Sequence, residues 1–141
     1  NKLITLGYKV ENVCCVYPCT PLLEFEIVDS FYELFISGKY DFVYPVVKYT
    51  HPIQRAMRML KSKKMEFVYQ EHEVTRTQDL EQTYHDAGQF YWGTVDAWLK
   101  GKKMHTDGIG IEIEPWRIVD IDEDSDWEKA KLLKKMIKYE N

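Results

Sequence analysis

The chain has 141 residues, of which 45% are hydrophobic, 30% charged and 14% aromatic. That is enough for one ordinary core, and it excludes a disordered tail, a collagen-like fibre or a disulfide-stapled miniprotein. A net charge of −4 argues against a general nucleic-acid binder. The longest apolar runs fall far short of the roughly 20 residues that cross a bilayer, and no signal-peptide series opens the chain, so the cytoplasm is the expected compartment.

The chain opens on Asn1 rather than Met, and Leu3, Ile4 and Leu6 read as the last turn of a helix, so a fragment is expected. Asn12 to Tyr17 is a short apolar run without alternation, the pattern of a strand covered on both faces in a parallel sheet. Cys14, Cys15 and Cys19 lie within it and just past it without zinc-ligand spacing, and read as reduced thiols. From Glu24 to Lys39 the residues Phe25, Val28, Phe31, Tyr32, Leu34 and Phe35 recur at helical spacing, with Gly38 at the expected end. Asp41 to Lys48 reads as a strand in which Pro45 predicts an edge or a bulge. The short β-forming stretches Ile53 to Met59, Met65 to Gln70 and Gln89 to Val95 predict an antiparallel excursion.

Thr94 to Leu99 has room for one or two helical turns, while Gly108 to Ile113 and Arg117 to Ile121 read as strands. A last helix is capped by Asp124 or Ser125. It carries Asp126 and Glu128 in its first turn and Lys134, Lys135 and Lys138 in its last, in the order that suits its dipole. Its expected apolar face is Trp127, Ala130, Leu133, Met136 and Ile137. The order βα, several strands, βα predicts part of a three-layer α/β domain over residues 1–141, with an antiparallel insertion. Sites in such sheets lie beyond the carboxyl ends of strands, where Tyr17 to Leu23 and Asp120 to Asp124 fall.

Asp120 and Asp122 stand at i and i+2 of an expected strand, so two carboxylates share a face. Paired carboxylates suit Mg²⁺, which takes oxygen ligands and completes its shell with phosphates and water. A solvated, helix-capping acidic loop is the alternative. The loop Tyr17, Pro18, Cys19, Thr20, Pro21 turns sharply after a strand and can floor a pocket or be only a turn. Arg76 can meet a carboxylate or phosphate, with Gln78 beside it, or pair with Asp79 or Glu73. His85 and Asp86 are neighbours without a partner nucleophile, which argues against a triad. In the run that follows, Phe90 and Trp92 face one way and Gln89, Tyr91 and Gly93 the other, so one face can pack while the other meets a ligand. No Walker A, GxGxxG, HExxH or GxSxG motif is present.

In order, NVCCVYPCTPLL, DFVYPVVKYTHPIQRA, TRTQDLEQTYHDAGQFYWG and RIVDIDEDSDWEKAKLL resemble the carboxyl-terminal two-thirds of the CMP-sugar synthetases that activate nonulosonic acids, most closely pseudaminic acid cytidylyltransferases. The pieces cover nearly all of residues 11–133, and YHDAGQFYWG with a VDID ending at this separation is the specific part. Sialic-acid members carry Gln-Pro-Thr-Ser-Pro and Asn-Gly where this chain has Tyr17 to Pro21 and Ala87-Gly88. Glu81 replaces a usual proline.

The resemblance implies a Rossmann-like nucleotide-diphospho-sugar transferase fold lacking its N-terminal part, and transfer of CMP from CTP to a nine-carbon acidic sugar with release of pyrophosphate. It further implies Mg²⁺ on Asp120 and Asp122, and a sugar pocket of Tyr17, Pro18, Thr20, His85, Asp86, Gln89 and Tyr91. Arg76 and Gln78 would reach the sugar carboxylate or phosphates from the second subunit of a homodimer built through residues of about 61–115. The family's Ile-Pro-Ala-Arg-x-Gly-Ser-Lys type of CTP loop is absent from these residues, so the chain alone is expected to be inactive. Alternatives are a CMP-sialic or CMP-legionaminic acid synthetase, or a sugar-binding or dimerisation module that has lost the chemistry.

Overall fold

A computed structural model describes residues 2–140, with side chains up to Ile137; Asn1, and the side chain of Lys138 expected in the dipole-facing turn, lie outside the described residues. The fold is mixed α/β and divides into two compact units, Asn1–Val47 with Asp86–Asn141, and Lys48–His85.

The first unit opens with α1 (Lys2–Thr5), β1 (Asn12–Val16), α2 (Phe25–Gly38) and β2 (Phe42–Lys48). α2 forms because its apolar spacing presents one stripe: Val28, Phe31 and Phe35 are buried against Val43, Val47, Phe90 and Ile113. Phe25 and Leu34, expected on that stripe, are exposed. The helix ends at Gly38, but the left-handed residue is Lys39 (φ 55°). Gly38 lets the Tyr40 ring lie close over the backbone, since a Cβ there would stand 1.9 Å from that ring unless the tyrosine moved.

The second unit holds β3 (Met57–Met59) and β4 (Met65–Phe67), paired antiparallel, and the chain leaves it through β5 (Tyr84–Asp86). Arg55 is its staple. Nη1 donates to the carbonyls of His72, Glu73 and Thr75 at 3.2, 2.9 and 3.2 Å, and the guanidinium sits 5.7 Å from the Phe67 ring centroid. The compact unit runs from Lys48 to His85, and the residues after it rejoin the main sheet.

They do so as β6 (Phe90–Thr94), α3 (Val95–Lys100), α4 (Met104–Asp107), β7 (Ile109–Glu112) and α5 (Asp124–Glu140). β6 pairs antiparallel with both β1 (Asn12↔Thr94 to Val16↔Phe90) and β2 (Phe42↔Gly93, Val43↔Trp92), and β7 pairs parallel with β2. β1, β2 and β7 thus run in one direction, as a βαβ reading requires, but β6 is inserted antiparallel between the first two. This corrects the expectation for β1: its ladder is antiparallel, and Val13 and Val16 remain 37% and 49% exposed.

Pro45 is not at an edge. β2 is buried in the sheet, Pro45 stands opposite Ile111 of β7, and on the other side its carbonyl accepts from Ala87 N–H at 3.0 Å. The N and C=O of one strand residue point to the same side. The missing donor therefore falls where the chain from Ala87 to Gln89 interrupts the ladder, so the irregularity lies in the neighbouring segment.

Alternation then assigns the faces. Val43, Val47 and Phe90 meet α2, while Phe42 meets Trp98 of α3 (5.0 Å) and Tyr44 meets His105 of α4 (5.2 Å) on the other side. Arg117 to Ile121 is not a strand. Pro115–Arg117 is a 3₁₀ turn, and the residues from there to α5 form no strand. On α5, Ala130 and Ile137 are buried, but Trp127 and Met136 are 53% and 55% exposed, so its buried stripe is narrower than expected.

Candidate functional site

Because β1, β2 and β7 run the same way and β6 runs against them, the loop after β1, the start of β6 and the segment after β7 gather at one end of the sheet. Tyr17 N–H continues the ladder to Gln89 C=O at 2.8 Å. The loop then turns through Pro18 and Cys19 (φ 61°), and the Thr20 hydroxyl donates back to Tyr17 C=O at 3.3 Å, which holds the turn closed. Tyr17 is 46% exposed, with its ring 5.0 Å from that of buried Tyr91.

A partly buried clamp joins this loop to the acidic segment. Gln89, 5% exposed, donates from Nε2 to Arg117 C=O at 2.7 Å. The Arg117 guanidinium pairs through Nη1 with Glu24, at the end of the Tyr17 to Leu23 loop, and through Nε with Glu114 at 2.9 Å. Gln89 thus acts in the structure as a pin rather than as an open lining group. Arg117, Glu24 and Glu114 were not readable as site residues, since Arg117 and Glu24 are 93 residues apart.

Three residues beyond the clamp comes Asp120, then Asp122, both exposed. Among the described residues neither carboxylate makes a hydrogen bond or ion pair. Asp126 instead takes the capping work: its Oδ2 accepts from the N–H groups of Asp122 (3.2 Å) and Glu123 (3.0 Å), the reach-back half of a capping box. The expected cap at Asp124 or Ser125 is accordingly displaced, and α5 begins at Asp124. No group of three or more His, Cys, Asp or Glu side chains that could hold a metal occurs among the described residues. Two uncommitted carboxylates fit Mg²⁺ in donor chemistry, since that ion is commonly held by one or two carboxylates plus substrate phosphates.

A second cluster lies on the sheet face opposite α2. Asp86 Oδ1 accepts from Gly88 N–H at 2.8 Å, and Oδ2 accepts from the Tyr91 hydroxyl at 2.8 Å and contacts His105 Nε2 at 2.8 Å. Burial first, then the hydrogen bond to Asp86, push the Tyr91 hydroxyl far above its ordinary range, and burial followed by the Asp86 charge pushes Tyr44 up. His105 was invisible to sequence spacing because it sits 19 residues from Asp86 on a four-residue helix. The ring of the sequence neighbour His85 lies 4.9 Å from Tyr49.

Arg76 and Gln78 lie in the second unit, both exposed, around the 3₁₀ turn Thr77–Asp79. Neither the Asp79 nor the Glu73 pairing weighed for Arg76 is found among the described residues. No helix of the described residues is long and apolar enough to cross a membrane.

No protein-family model matches the chain. It is similar to the pseudaminic acid cytidylyltransferases of Campylobacter jejuni subsp. jejuni serotypes O:2 and O:23/36, with 36% identity over 127 residues, 89% of this chain and 55% of each relative. It is also 31% identical over 119 residues to the Helicobacter pylori protein named pseudaminic acid cytidylyltransferase and UDP-2,4-diacetamido-2,4,6-trideoxy-beta-L-altropyranose hydrolase, covering 82% of this chain and 23% of that protein. The chain spans about half the length of the Campylobacter relatives it matches. The resemblance drawn from the motifs is thus a similarity to proteins of that name.

Proposed function

We propose that the chain supplies the metal- and sugar-binding part of a pseudaminic acid cytidylyltransferase, which joins CMP from CTP to a nine-carbon acidic sugar and releases pyrophosphate. The observation that carries this reading is the similarity of 36% identity over 89% of the chain to proteins of that name. The site supports it, because the Arg117 clamp gathers the Tyr17 to Leu23 loop and the Asp120 to Asp122 segment at the carboxyl end of the sheet, where α/β folds place ligands. The reading carries with it a three-layer Rossmann-like fold, a cytoplasmic location and a homodimer.

In this reading the 2-hydroxyl of the sugar attacks the α-phosphorus of CTP, and catalysis rests on positioning and charge neutralisation. Asp120 and Asp122 hold Mg²⁺, which neutralises the phosphate oxygens when bound. One of the two carboxylates also orients or deprotonates the attacking hydroxyl. Tyr17, Pro18 and Thr20 form the rim of the sugar pocket with Tyr91 and Asp86 behind it, and Gln89 pins the segment that carries them. Arg76 and Gln78 meet the sugar carboxylate or the phosphates from the partner subunit. The principal CTP-binding loop is not among these residues, so the chain alone transfers little or nothing.

The test is a chimera in which this chain replaces the matched 127 residues of the Campylobacter jejuni relative, assayed for pyrophosphate release with CTP, Mg²⁺ and a panel of nonulosonic acids. Pseudaminic acid should be the preferred substrate, and Asp122→Asn should lower transfer by about 100-fold or more, the scale of losing a group that neutralises transition-state charge. Preference for sialic or legionaminic acid would reassign the substrate. Sugar binding without transfer, unchanged by Asp122→Asn, would leave only a binding module.

A further inference from the structure

We infer that His105 presents a hydrogen-bond acceptor, its ring Nδ1, to the ligand, and that Asp86 is the positioning residue that fixes it in that state. The inference rests on the sugar-binding reading above for the identity of the ligand, but its first step is chemistry internal to the chain. An ionised carboxylate only accepts hydrogen bonds. Asp86 Oδ2 lies 2.8 Å from both the Tyr91 hydroxyl and His105 Nε2, so both partners donate, and the His105 proton resides on Nε2. In the neutral ring Nδ1 then keeps its lone pair.

The ring is held in place as well as in tautomer. Tyr44 packs edge to face at 5.2 Å and 84°, and its hydroxyl donates to the His105 carbonyl at 3.3 Å. Asp86 is itself seated by Gly88 N–H at 2.8 Å, with Gly88 at φ 65° in the left-handed turn that brings this N–H to the carboxylate. Every strong contact of the imidazole is thus on its Nε2 edge and its Tyr44-facing side. Among the described residues Nδ1 has no partner, and the side chain is 57% exposed against 27% for Asp86. A carboxylate-oriented imidazole with one open nitrogen is built to accept from a ligand donor. On a polyhydroxylated, amide-bearing acid sugar, that donor is a hydroxyl or an amide N–H.

Alternation gives Asp86 to the face that holds Tyr91, Tyr44 and His105. His105→Gln tests the role cleanly. It is an exposed change, and a glutamine amide can still donate to Asp86 while lacking the acceptor at Nδ1.

Two measurements decide the matter. Long-range proton–nitrogen NMR on the ¹⁵N-labelled chain should show neutral His105 protonated on Nε2; the Nδ1–H tautomer overturns the inference whatever the ligand is. In the Campylobacter chimera, His105→Gln should raise the KM for pseudaminic acid about tenfold, the loss of one ligand hydrogen bond, while the KM for CTP stays unchanged. A sugar KM equal to that of the unsubstituted chimera overturns the ligand role of Nδ1 and leaves the functional reading intact. An unsubstituted chimera that neither binds nor uses any nonulosonic acid overturns the functional reading and, with it, that ligand role.

Discussion

Arg117 is the residue on which most of the candidate site's geometry converges. Its side chain and that of Glu24 are 20% and 18% exposed, so removing one leaves the other charged and largely out of water. Arg117→Ala should destabilise the chain by about 2–3 kcal/mol in chemical denaturation, below the range for fully buried pairs because both groups keep some solvent. Combining it with Glu24→Gln should cost less than the sum, since the pair is one interaction; additive costs would show that the pair is not coupled. Cys14 gives a pH signature. Burial pushes its thiol from the ordinary 9.0 up to about 11. Its contribution is therefore complete below pH 9 and is lost as the pH climbs through about 11, because the unfolded chain ionises first. Thermal unfolding followed between about pH 8 and 11 should show a falling midpoint, and Cys14→Ala should flatten the early part of that fall, before Tyr44 and Tyr91 contribute in the same direction from pH 10 upwards. An unchanged slope would locate the effect elsewhere.

At the scale of elements, the end of α2 shows how a local rule can hold in kind and shift in place. Gly38 at the end of an apolar-periodic stretch predicts a helix stop, and the stop occurs, but Lys39 takes the left-handed position with φ 55°. A non-glycine residue pays a steric cost there, so Lys39→Gly should stabilise the chain by about 0.5–1 kcal/mol in urea unfolding; destabilisation would mean the Lys39 side chain makes a contact worth more than that relief. β6 was the most legible element. Its alternation sends Phe90 and Trp92 to α2, where Trp92 Nε1 donates to Val28 C=O at 3.0 Å, and sends Tyr91 to Asp86. Its position between β1 and β2 was not legible, because pairing partners are chosen by tertiary packing and not by the pattern within a strand. The same limit applies to Trp127 and Met136: helical spacing places them near the apolar stripe of α5, but the width of what α5 packs against decides which residues are covered.

For the whole molecule, the Lys48–His85 unit bears on assembly. In the β3–β4 register Met57 faces Phe67 and Met59 faces Met65, so these four side chains share one face. Met57, Met59 and Met65 are 47%, 68% and 48% exposed. A hairpin with strands of three residues is marginal in water by itself, and an exposed apolar face of this kind suits association with a second copy. Light scattering should find a dimer of the chain, and Met59→Lys with Met65→Glu should weaken it by about tenfold or more. A wild-type monomer at high concentration would remove the dimer from the proposed function.

Read alone, the sequence determined the first strand and the helix after it, the two-faced character of β6, the last helix, and the similarity to pseudaminic acid cytidylyltransferases. These follow from local periodicity, turn chemistry and motif order, all carried by residues near one another in the chain. Only the tertiary structure decided that β6 enters between β1 and β2, that Gln89 and Arg117 form a clamp with Glu24, and that His105 meets Asp86. The physical reason is the same in each case. A hydrogen bond or ion pair between residues 19 to 93 positions apart leaves no mark on local spacing, and burial chooses it only when the sheet and its helices have met.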